Sequence, residues 1–76
     1  LPRLNCTFQQ FVAIILAHGF IQDRQGAGSH KIYRGSVGGV MRVVIVAGHR
    51  PSDTCKPGTL KSMIRQSGLD EKLFRR

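Results

Sequence analysis

Two helix-period segments bracket a glycine-punctuated middle, and that order leaves few folds open to the chain. At one end, Thr7-Phe8-Gln9-Gln10 has capping-box spacing, in which a threonine hydroxyl and a glutamine amide each satisfy a backbone N–H at a helix start. Phe8, Phe11, Val12, Ile15 and Leu16 then recur on one helical face. His18-Gly19 follows, and glycine readily takes the left-handed conformation that ends a helix. The pattern predicts a helix over about residues 8–18, after a lead-in of residues 1–6. At the other end, Pro57-Gly58-Thr59 opens a second helix, because a proline in the first turn lacks only an N–H that would have no partner there. Leu60, Met63 and Ile64 form its apolar stripe, Lys61 and Arg65 its polar side, and Gly68 its stop. Leu69 and Phe74 are expected to fold back onto the core.

Between the helices, Phe20 to Gln25 is expected to form a first strand and Ser29 to Arg34 a second, joined by a turn at Gly26 and Gly28. Gly35, Gly38 and Gly39 mark a looser turn. Met41 to Ala47 is rich in valine and isoleucine, apolar on both parities, and is expected to be a central or covered strand. Residues 48–56 read as a polar loop. The fold class is therefore α+β in the order α-β-β-β-α: a three-stranded antiparallel sheet with two helices on one face and the other face left available. Seventy-six residues leave room for one core, so residues 1–76 are read as a single domain.

Twelve lysines and arginines against four acids give a formal net charge of +8, which favours nucleic acid or another polyanionic partner. No stretch reaches transmembrane length and no secretory signal is visible, so a cytoplasmic setting without membrane contact is expected. In that reducing setting Cys6 and Cys55 are expected to be free thiols. They are too few and too far apart for a metal knuckle, and their spacing gives little support for a disulfide.

The chemistry centres on Gln25-Gly26-Ala27-Gly28-Ser29-His30-Lys31-Ile32-Tyr33-Arg34. A neutral imidazole can accept or donate a proton near neutrality. RNA carries its own nucleophile, the 2′-hydroxyl, so a base that removes that proton and cations that hold the phosphoryl oxygens suffice to start cleavage. His30 is the candidate base, and Arg24, Lys31 and Arg34 are candidate phosphate partners; Gly26 and Gly28 allow close backbone approach, and Gly28 and Ser29 are counted with the candidate RNA- and phosphate-binding residues. The same residues can equally close a hairpin and bind a polyanion. His18 reads as a helix cap, His49 as a loop residue or else a second acid/base or phosphate-binding group, and Tyr33 as either a base-stacking or a core residue. Lys56 and Lys61 can bind phosphate around the second helix or form its solvated face. The four acids and three histidines form no metal-ligand pattern, so neither metal nor cofactor is expected.

His18-Gly19-Phe20, Arg24, Gly28-Ser29-His30-Lys31-Ile32-Tyr33-Arg34, His49 and the run Lys56-Pro57-Gly58-Thr59-Leu60 through Gly68-Leu69 together resemble the HicA toxin family, also called YcfA-like proteins, from about residue 2 to residue 74. The resemblance implies a fold like that of double-stranded-RNA-binding domains. It also implies an mRNA interferase of a type II toxin–antitoxin system, an endoribonuclease whose catalytic histidine is His30. Its partners would be mRNA and a HicB-type antitoxin, with DNA contacted, if at all, only within the antitoxin complex. Two stretches depart from the family pattern. Gly35-Ser36-Val37-Gly38-Gly39-Val40 lacks the histidine-proline that commonly follows the arginine, and Ala47-Gly48-His49-Arg50-Pro51-Ser52-Asp53-Thr54 replaces the usual proline-valine-histidine run. The alternative reading is a non-catalytic RNA-binding module on the same scaffold, and a third is an interaction module for an acidic antitoxin.

Overall fold

A computed structural model describes residues 5–25, 30–46, 50 and 52–75, with Arg24 and Gln25 described by backbone alone. The elements run α1 (Phe8–Ala17), β1 (Ile21–Gln25), β2 (Lys31–Val37), β3 (Val40–Val46), α2 (Pro57–Ser67) and a 3₁₀ turn over Glu71–Phe74. The expected α-β-β-β-α order is present, with one antiparallel sheet in the order β1-β2-β3.

α1 starts as its sequence dictates. The Thr7 hydroxyl accepts from Gln10 N at 3.1 Å, and Gln10 Oε1 accepts from Thr7 N at 2.9 Å. His18 is its C-cap, and its Nδ1 donates to the Ile14 carbonyl at 2.9 Å. Phe8, Phe11 and Ile15 face inward; Leu16, expected on the same face, is instead largely exposed. α2 begins at Pro57, buries Leu60, Met63, Ile64 and Ser67, and ends at Gly68 in the left-handed region.

Both helices press on one face of the sheet, where Tyr33, Val44 and Val46 join Phe11, Ile15, Phe20, Leu60 and Phe74 in a single core. The chain's end does return to that core: Phe74 is fully buried, with its ring stacked on Phe11 at 5.2 Å between centroids, and Leu69 packs against the same cluster. The position of Tyr33 resolves its two readings in favour of packing, and burial pushes its phenol up from the ordinary value.

Three expectations about the strands need correction. β2 runs through Gly35 to Val37 rather than stopping at Arg34, because Gly35 is a strand residue whose missing side chain makes room for the Phe20 ring. The turn is the two-residue pair Gly38-Gly39, both at positive φ, the geometry that matches strand twist in a tight hairpin. β3 is an edge strand, not a central or covered one. Val44 and Val46 are buried, while Met41, Val43 and Ile45 are exposed on the open face. Its edge is partly blunted by α2, since Gln66 Oε1 accepts the Ile45 N–H at 3.1 Å. The expected turn at Gly26 and Gly28 lies outside the described residues, as do Ala47, Gly48 and His49.

Candidate functional site

His30 immediately precedes β2 and is exposed; Lys31, the first residue of that strand, is exposed as well. β2 is the middle strand, and its head is flanked on both sides: Lys31 is opposite Gln25 of β1 and Val46 of β3. The Arg24 backbone pairs with Ile32, one position further along. The fold therefore brings the histidine, one lysine and the backbone of one arginine to a single end of the sheet. Gly28 and Ser29 lie outside the described residues, as does His49.

Arg34 is placed differently. It sits on the opposite face of β2 from Lys31, since strand side chains alternate, and roughly 10 Å along the strand at about 3.3 Å per residue. There its guanidinium forms an ion pair with the Asp23 carboxylate. The register of β1 shifts between Gln22 and Arg24, leaving Asp23 as the extra residue of a bulge. Arg34 consequently has a carboxylate partner already, which spacing alone did not reveal.

Around this ion pair the open face of the sheet is apolar. Ile21, Met41, Val43 and Ile45 are exposed there, with Ile32 half-buried between them. Pairing places Ile21 opposite Arg34, Ile45 opposite Ile32 and Val43 opposite Arg34, so these side chains share one surface. Contiguous exposed apolar surface of this kind marks contact with other macromolecules.

Lys56 and Lys61 belong to another part of the molecule. Lys56 is the N-cap of α2 and Lys61 lies on its exposed side. Lys56 lines an open groove of about 390 Å³ with Phe8, Asp53, Thr54 and Thr59, at the point where the starts of α1 and α2 meet. Asp53 thus shares the groove lining with the lysine. Among the described residues no three His, Cys, Asp or Glu side chains converge as metal ligands. No helix among them is long and apolar enough to cross a membrane.

An α-β-β-β-α domain with a basic surface and an exposed histidine at the head of its middle strand fits a small nucleic-acid-interacting protein. The family model for the HicA toxin of bacterial toxin–antitoxin systems matches residues 8–69, and the chain belongs to that family. No curated protein and no solved structure matches it.

Proposed function

We propose that the protein is the toxin of a type II toxin–antitoxin pair and acts as a metal-independent endoribonuclease on mRNA. The observation that carries this reading is the exposed His30-Lys31 pair at the head of β2, in a family of toxins and on a chain of net charge +8. His30 takes the proton from a ribose 2′-hydroxyl as that oxygen attacks the adjacent phosphorus. The bond to the 5′ oxygen breaks, and a proton donor that sequence and geometry leave unassigned completes the leaving group. Lys31 holds the phosphoryl oxygens as charge accumulates on them, with Arg24 on the neighbouring strand in the same role. Arg34, on the opposite face of β2, contacts RNA away from this centre and only by exchanging Asp23 for a phosphate. Gly28 and Ser29, next to His30 in the chain, take part in RNA contact. Lys56 and Lys61 extend the contact along α2, where the helix N-terminus also favours anions.

Neutralisation falls to a HicB-type antitoxin. The apolar open face supports a protein partner: a surface of isoleucine, valine and methionine is better suited to another protein than to phosphates.

The test is cleavage of a defined mRNA in excess EDTA by the wild-type protein beside His30→Ala. Because His30 is exposed, the variant is expected to fold and to lose about 10²–10⁴-fold in rate. Equal cleavage by both proteins rejects His30 as the base. RNA binding by both with cleavage by neither supports the non-catalytic module instead.

A further inference from the structure

Cys6 and Cys55 are far apart in sequence yet directly opposed in space. Thr7 and Thr54 form an isolated antiparallel bridge. It is closed on one side by Phe8 N–H donating to the Asp53 carbonyl at 3.0 Å and on the other by Cys55 N–H donating to the Cys6 carbonyl at 2.8 Å. That pattern sets Cys6 and Cys55 opposite one another across the bridge, joined by one backbone hydrogen bond. Residues opposed in this way have Cα atoms about 4.5–5.5 Å apart, within the range a disulfide spans, and project their side chains to the same side with Cβ atoms about 4.5–5.5 Å apart, so closing the bond draws the two Cβ atoms together by up to about 1 Å. Both side chains point into the core, Cys6 fully buried and Cys55 nearly so, and both are free thiols. The Cys6 thiol donates a long bond of 3.5 Å to the Phe74 carbonyl, a weak contact to give up.

We infer that Cys6 and Cys55 form a redox-active pair that closes to an intramolecular disulfide under oxidising thiol conditions, stapling the segment before α1 to the segment before α2. The oxidant is a small-molecule disulfide such as oxidised glutathione. One cysteine thiolate attacks it, forming a mixed disulfide and releasing one glutathione thiolate. The second cysteine thiolate then attacks the protein sulfur of that mixed disulfide and releases the other glutathione. Two protein thiols are oxidised, the glutathione disulfide is reduced to two glutathione thiols that take up the two protons the protein thiols lose, and one S–S bond replaces another.

Burial of both sulfurs makes the reaction slow in the closed fold. The segment that carries Cys6 is held by few backbone bonds, Asn5 N–H to the Phe74 carbonyl at 3.3 Å and the two bonds of the bridge among them. Local opening of this segment is the expected route of entry. Once formed, the bond closes a loop of about fifty residues and so strongly restricts the unfolded chain. It also fixes the starts of both helices, and with them the groove that Lys56 lines.

The experiment refolds reduced, denatured full-length protein in glutathione buffers of graded oxidised-to-reduced ratio, so that access does not limit the reaction, and follows acid-quenched samples by intact mass. The expected product is a monomer lighter by about 2 Da that has lost both thiols together and melts about 10 °C or more above the reduced form. Cys6→Ala and Cys55→Ala must each stop at a single glutathione adduct. Folded protein that keeps two free thiols, carries only glutathione adducts, or links into dimers at the most oxidising ratio overturns the inference.

Discussion

The backbone of Gly35 lies against the Phe20 ring so closely that a Cβ at position 35 would stand 2.7 Å from Phe20 Cγ. Phe20 is almost wholly buried where the chain enters β1 from α1, so its ring has little freedom to withdraw. Gly35→Ala is therefore expected to lower stability by about 1–3 kcal/mol, the usual cost of overpacking, in urea denaturation followed by circular dichroism. A stability within about 0.5 kcal/mol of wild type would show that the ring yields easily, as surface substitutions usually allow.

The ion pair between Arg34 and Asp23 is partly exposed, so it adds at most about 1 kcal/mol to the fold. Its larger effect is on charge. Asp23→Asn should free the guanidinium for phosphate, tighten RNA binding and steepen its salt dependence by about 0.7 in log K against log salt for a single strand. Fluorescence anisotropy across a salt series reads both quantities. Unchanged affinity and slope would remove Arg34 from the RNA-binding surface.

Thr7 closes the start of α1 through its hydroxyl while Gln10 answers through its amide oxygen. Thr7→Ala leaves the Gln10 N–H without that acceptor and is expected to cost about 1 kcal/mol. The thermal midpoint should fall by roughly 4–8 °C for a domain of this size.

Alkaline pH should weaken the fold through Cys55. Burial, with a further contribution from the adjacent Cys6, pushes its thiol up from the ordinary range to about 11. The folded state therefore holds its proton where the unfolded chain has lost it. The resulting stability is fully present below about pH 9 and is lost as pH rises towards about 11. In excess reductant, the unfolding free energy should drop by about 1–2 kcal/mol across that interval. Tyr33, also raised by burial, acts with the same sign, so the diagnostic comparison is Cys55→Ala, which should make the decline shallower. An identical decline in that variant would assign it to other groups.

Much of the secondary structure was readable along the chain because its causes are local. The Thr7–Gln10 box, the inward spacing of Phe8, Phe11 and Ile15, the proline at the start of α2 and Gly68 at its end all act within a few residues. The His30 motif and the family it points to were equally legible, since they depend on neighbouring residue types in order. The strands were less so. Gly35 reads as punctuation until Phe20 is seen against it, and the valine-rich β3 reads as covered until β2 takes the centre.

The sequence by itself determined the helices, their caps, the basic charge and the position of the histidine along the chain. Tertiary structure alone decided that Arg34 meets Asp23 across a bulge, that β3 is an edge, and that Cys6 faces Cys55. Capping and periodicity are short-range effects written in adjacent residues. Strand order, register and cross-bridge pairing depend on contacts between distant segments, which exist only once the common core has brought them together.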